Sequence, residues 1–261
     1  MKLFDSHCHL DDRSYKDDLM MVIKNASATG VESVMVVGIN KKSSVKALNI
    51  AKANPGYYCA VGVHPHEAKE CSEQVLEFLA NLAESEKVKA WGEIGLDFNR
   101  MYSHQKDQEK WFIRQLIKAD KLGLPVIFHE RDTSGRLLEI LKSTTLDNTL
   151  NGVIHCFSGN RNELVKYLEL GLYIGITGII TIKGRGAKLR ELAPLIPADR
   201  LLVETDAPYL TPAPQKNKVR RNEPAFVKSV MLKLAQVRQE DPNQLAETIW
   251  ENTCRLFSIS F

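Results

Sequence analysis

Eight short apolar runs recur along the chain, at residues 3–7, 31–38, 58–63, 88–93, 125–129, 152–156, 172–177 and 201–206. Each is nearly continuous in apolar character, the pattern of a strand buried on both faces. Between them lie helical patterns, such as Gln105 to Leu122 with apolar Trp111, Ile113, Leu116 and Ile117, stopped by Gly123 ahead of Pro125. Two further helices are expected at 221–238 and 242–257. Alternation of strand and helix predicts a parallel sheet, and eight such units predict a closed (β/α)8 TIM barrel forming one domain over residues 1–261. An open doubly wound sheet is the rival. It needs a topological switch point and usually a glycine-rich first turn, where this chain instead has His7-Cys8-His9-Leu10-Asp11-Asp12.

Composition alters this picture little. A hydrophobic content of 44% over 261 residues suffices for a sizeable core. The 35 basic and 32 acidic residues are intermixed, and the net charge of +3 neither demands nor excludes a phosphate substrate. Cys8, Cys59, Cys71, Cys156 and Cys254 are odd in number, scattered and free of C-x-x-C spacing, which points to reduced thiols in a cytoplasmic protein. The first residues lack the basic, apolar and small-residue order of an export signal. No window approaches the ~18 apolar residues of a membrane span, so neither a membrane nor an obligate protein partner is expected.

The candidate chemistry sits at strand ends. Of seven histidines, His7, His9, His64, His129 and His155 fall at the C-terminal end of a predicted strand, as do the acids Glu93 and Asp206. A closed barrel brings those ends to one mouth, where barrel active sites lie. Alternation along a strand lets His7 and His9 aim at one ion while Ser6 and Cys8 turn away. An ionised Glu93 or Asp206 ending an apolar strand is costly unless paired or bound to metal. A catalytic zinc usually takes about three protein ligands, so six ligands suit two ions. A bridging Glu93 would leave His7, His9 and Asp206 on one metal and His129 and His155 on the other. Two such metals suit hydrolysis.

Three segments in order resemble the signatures of the TatD family of metal-dependent deoxyribonucleases: Leu3-Phe4-Asp5-Ser6-His7-Cys8-His9-Leu10-Asp11, His129-Glu130-Arg131-Asp132, and Leu201 to Leu210 with Glu204-Thr205-Asp206-Ala207-Pro208-Tyr209. The resemblance runs end to end. It implies a binuclear site with His7, His9, Glu93 and Asp206 on one ion and Glu93, His129 and His155 on the other, and DNA as the substrate, often cut from a 3′ end. The ions could be Zn2+, Mn2+ or Mg2+.

The expected reaction is attack of an activated water on phosphorus, with Glu93 and Asp206 as catalytic residues and Asp206 accepting the proton. His64 and Arg131 are candidates for contact with substrate phosphate, Arg131 through a bidentate grip unless it pairs with Glu130 or Asp132. Glu204 is expected to hydrogen-bond a ligating histidine, and Asp5 stands in the same relation to His7. Asp97 and Asn99 either orient substrate or cap the helix starting near Ser103. Lys183, Arg185, Lys188, Lys216, Lys218, Arg220 and Arg221 lie in loops after the last two strands, where they either track a DNA backbone or form a solvated basic surface. The same site could serve a metal-dependent amidase or esterase, including a deacylase of D-aminoacyl-tRNA. A non-catalytic protein with a structural metal is disfavoured, because no cysteine is expected on the metal-facing side.

Overall fold

The computed structural model describes residues 1–146 and 148–260. Strands β1 (Leu3–Cys8), β2 (Val31–Val37), β3 (Tyr57–Val61), β4 (Val88–Asp97), β5 (Val126–Arg131), β6 (Gly152–Ile154), β7 (Tyr173–Ile176) and β8 (Leu201–Val203) pair in chain order, all in parallel. The ring closes just beyond the last strand. Cys8 bridges Ala207, the His9 N–H donates to the Ala207 carbonyl at 2.7 Å, and the Asp206 N–H donates to the His7 carbonyl at 2.9 Å. Helices α1 (Leu19–Ala28), α2 (Lys41–Ala53), α3 (Glu73–Leu82), α4 (Gln105–Lys121), α5 (Arg136–Ser143), α6 (Arg161–Glu169), α7 (Ala187–Leu192), α8 (Val227–Arg238) and α9 (Pro242–Leu256) surround it. This is the expected (β/α)8 barrel. Among the described residues no helix is long and apolar enough to cross a membrane.

Period-two alternation sorts each strand between two cores. Val34 and Val36, Val126 and Phe128, Leu201 and Val203 face the helices. Their neighbours Met35, Val37, Ala60, Ala90, Ile127, Val153, Tyr173 and Leu202 fill the barrel interior, and Trp250, Leu256, Phe257 and Ile259 pack against its base. The same alternation carries the inward face on from Ile127 to His129, from Val153 to His155, and from Leu202 to Glu204 and Asp206. The polar site is therefore the top layer of a packed barrel, seated on an apolar floor that excludes water from below.

Several boundaries differ from the sequence expectation for identifiable reasons. β4 extends to Asp97 because Gly95, at φ 146°, lets it pass against β5, where a Cβ would collide with the His129 carbonyl. β6 and β8 stop early because Cys156 (φ 48°) and Asp206 (φ 57°) turn the chain into the left-handed region. The helix expected from 221 starts at Val227, because the preceding residues serve the barrel mouth. There the buried Asn222 amide donates to the carbonyls of Thr205 at 2.9 Å and Tyr209 at 2.6 Å.

Candidate metal centre

Glu93 lies at the middle of the mouth with its two oxygens facing different histidine groups. Oε2 is 3.4 Å from His7 Nε2 and 3.8 Å from His9 Nε2. Oε1 is 2.6 Å from His129 Nδ1, 3.6 Å from His64 Nε2 and 3.8 Å from His155 Nε2. Asp206 joins the first group, its Oδ1 lying 3.4 Å from His9 Nε2, 3.9 Å from His7 Nε2 and 3.8 Å from His155 Nε2. The two Nε2 atoms of His7 and His9 are 3.2 Å apart. Ligands at about 2.1 Å around a tetrahedral ion stand about 3.4 Å from one another, so this first group has the span of one coordination shell.

Three of the imidazoles have one nitrogen beside an oxygen of the protein and offer the other. The His9 Nδ1–H donates to the Val37 carbonyl at 2.9 Å. His155 Nδ1 sits 2.8 Å from Glu204 Oε1, and His129 Nε2 sits 3.2 Å from Asp97 Oδ2. Carbonyl and carboxylate partners of this kind fix the orientation of metal-binding histidines. His7 packs face to face on His155 at 3.5 Å between ring centres, and its Nδ1 is buried with no hydrogen-bond partner. His155 thus stands between the two groups, close to Glu93 and Asp206 alike.

His64 lies three residues past the end of β3, not at the strand end, as first residue of a turn in which its Nδ1 accepts the His66 N–H at 3.0 Å. Burial holds its imidazole well below the usual histidine range, hence neutral. With the lone pair on Nδ1 engaged, the proton resides on Nε2, which lies 3.2 Å from His129 Nδ1 and 3.6 Å from Glu93 Oε1, so that His64, Glu93 and His129 form one cluster.

The charges show what the centre suits. Burial would lift the Glu93 carboxyl, yet the imidazoles of His64, His155, His129 and His7 hold it well below the ordinary carboxylate range. Burial opposes protonation of His9, but Asp206 and Glu93 outweigh it and push its pKa up to about 9. Burial likewise works against His129 and His155, and each is nonetheless brought to about 9, by Glu93 with Asp97 and by Glu204 with Glu93 respectively. Buried carboxylates thus draw protons onto three imidazoles. Divalent cations can take the place of those protons, and the donor set fits them.

Other residues fall as follows. Glu204 meets His155 as expected, and also accepts the Cys156 N–H at 2.6 Å. Asp5 does not touch a histidine side chain: its carboxylate accepts the Thr205 N–H at 2.8 Å and hydroxyl at 2.6 Å, tying β1 to the segment after β8. Asp97 does not cap the helix after it, whose first residue is preceded by His104; Asp97 Oδ1 accepts the N–H groups of Asn99 at 3.0 Å and Arg100 at 2.9 Å in the turn between. It is fully buried and holds His129 and, at 2.7 Å, His66 Nε2. Its signal was its place four residues after Glu93 on one strand. Arg131 ends β5 half-buried, and among the described residues it makes no ion pair with Glu130 or Asp132. Of the basic loop residues, Arg221 is occupied by Asp18 at 2.6 Å and Glu223 at 3.1 Å. Cys156 corrects the expectation for cysteines, since its thiol lies within 4.8 Å of ligand atoms of His155 and Asp206.

Over residues 4–258 the chain matches the sequence profile of a family described as TatD related DNase. The chain belongs to the TatD family. It is 42% identical to the 3′-5′ ssDNA/RNA exonuclease TatD of Rahnella sp. (strain Y9602), covering 99% of each chain. With the protein of that name from Erwinia tasmaniensis the identity is 43%, covering 98% of this chain and all of the other. The TatD homologue YJJV from Escherichia coli K12 superposes with a TM-score of 0.89 at 31% identity, over 99% of this chain and 98% of that one. An organophosphorus hydrolase from Deinococcus radiodurans shares the fold alone, with a TM-score of 0.65 at 16% identity. This TatD-family chain is a hydrolase of a metal-dependent family.

Proposed function

We propose that this chain removes nucleotides from the 3′ end of single-stranded DNA with two divalent cations at the barrel mouth. The observation that carries the reading is the division of Glu93, one oxygen toward His7 and His9 and the other toward His129, His64 and His155. His7, His9, Glu93 and Asp206 hold one ion, and Glu93, His129 and His155 hold the other. Relatives at 42–43% identity bearing the name 3′-5′ ssDNA/RNA exonuclease support the substrate and its polarity.

When bound, the cations polarise the phosphodiester and lower the pKa of water near it. The protein does the rest. Asp206 is kept ionised against burial by His9, His155 and His7, and it receives the proton released by the attacking water. His64 donates from Nε2 to a non-bridging phosphate oxygen, and the Arg131 guanidinium grips another. The apolar floor of Ile127, Val153 and Leu202 keeps bulk water from reaching the phosphate from beneath.

The test strips the protein of metal, reloads it with Zn2+, Mn2+ or Mg2+, and adds 5′-labelled single- and double-stranded DNA beside a panel of carboxyl esters. A ladder shortening from the 3′ end of single strands is expected. Ester hydrolysis with intact DNA would overturn the proposal in favour of an esterase on the same barrel.

A further inference from the structure

Among the described residues only two Phe, Tyr or Trp side chains are exposed, Tyr102 at 56% and Tyr209 at 54%. Both lie at the barrel mouth, each edge-on to a histidine of the site. Tyr209 sits 6.1 Å from the His9 ring on the β8–β1 side. Tyr102 sits 4.9 Å from the His66 ring on the β3–β4 side, with His66 itself 4.3 Å from His64. The backbone beneath each ring is fixed. The Tyr209 N–H donates to the Asp206 carbonyl at 2.8 Å, and its carbonyl accepts from buried Asn222. Beside Tyr102, the Ser103 hydroxyl donates to the His66 carbonyl at 2.9 Å, and Gln108 donates to the Ser103 carbonyl at 2.9 Å. Exposed rings on pinned backbone lose little entropy on stacking, and every base offers a flat face to them.

Charge separates the two sides. Residues 177–190 and 207–220 carry exposed Lys183, Arg185, Lys188, Lys216, Lys218 and Arg220 and contain no Asp or Glu. These two loops, next to Tyr209, are fastened together by the Ala213 N–H donating to Thr181 Oγ1 at 2.8 Å. Around Tyr102 the charges are mixed: Arg100 donates to its hydroxyl at 3.4 Å, and the helix that follows carries Lys106 and Lys110 on either side of Asp107 and Glu109.

We propose that Tyr102 stacks the base of the 3′-terminal nucleotide, and that Tyr209 stacks the penultimate base across the scissile phosphate. The strand then runs in the 5′ direction over the basic loops. This rests on the 3′-exonuclease reading above and assigns to two tyrosines the placement of the strand.

The test compares kcat/KM for oligonucleotides with an intact 3′ end, an abasic terminal nucleotide or an abasic penultimate nucleotide, in the wild type, Tyr102→Ala, Tyr102→Phe and Tyr209→Ala. In the wild type, loss of either base slows cleavage about tenfold, the scale of one stacked base. In Tyr102→Ala the terminal-base effect collapses toward onefold while the penultimate effect persists, and Tyr102→Phe keeps both. Tyr209→Ala shows the reverse. Undiminished base effects in both alanine variants, or an exchange of the two effects, would overturn the assignment with the nuclease reading intact. A wild type that leaves all three oligonucleotides uncut would overturn both.

Discussion

His64 accepts the His66 backbone N–H on Nδ1 at 3.0 Å, and this places its proton on Nε2, 3.6 Å from Glu93 Oε1. The bond separates His64 from His155, although both imidazoles crowd the same carboxylate. His155 has its Nδ1 toward Glu204, so that Nε2 is the nitrogen free to exchange its proton for an ion. His64→Gln is therefore expected to keep two ions per chain and to raise KM about tenfold, the loss of one phosphate hydrogen bond. His155→Gln is expected to lose one ion. Metal analysis of dialysed protein beside steady-state kinetics decides it, and loss of an ion from His64→Gln would make His64 a ligand.

Glu204 is expected to act through His155 without touching phosphate. Glu204→Gln retains an acceptor for the Cys156 N–H but removes the charge that steadies the imidazole. Metal affinity should fall roughly 10- to 100-fold, the usual cost of such a partner. Titration of stripped protein with Zn2+, read by calorimetry, measures it. An affinity equal to the wild type would show that His155 needs no carboxylate behind it.

Asp5 fastens the first strand to the segment that follows the last. Replacing it with Ala strips two hydrogen-bond partners from Thr205 in a fully buried place and should cost roughly 2–4 kcal/mol. Asp5→Asn keeps one acceptor and should lose less. Urea unfolding at constant m-value reads both. An alanine variant as stable as the wild type would mean that the barrel closes through its backbone bonds alone.

The basic loops should make binding sensitive to salt. Each phosphate contact to a single strand contributes a slope of about −0.7 in log affinity against log salt. Changing Lys216, Lys218 and Arg220 together to Gln should therefore flatten that slope by about 2. Fluorescence anisotropy with labelled oligonucleotide across a salt series follows the effect. An unchanged slope would return these side chains to the role of a solvated surface.

Apolar runs ending in His129, His155 and Asp206 made both the barrel and the centre readable, because alternation is preserved from the interior core up to those residues. Legibility fails where alternation fails. Cys156 comes next to His155 and should face away, but its left-handed backbone turns it back toward Asp206. Cys8, still on regular strand, does face away, its thiol buried 3.6 Å from the Met35 carbonyl. Asp97 was hidden by a strand longer than its apolar run, and His64 by a turn that carries it past its strand. Asp5 was read by spacing alone, and spacing does not reveal that Thr205 lies nearer than any imidazole.

The backbone bond from Asp206 to the His7 carbonyl also sets when the centre can exist. His7 and His9 at the end of β1 and Asp206 just beyond β8 share one proposed ion, so no N-terminal fragment ending before β8 holds its ligand set. The proposed centre therefore depends on contacts between the two ends of the sheet, and a fragment that lacks Asp206 lacks both a donor and the bond that closes the ring above it.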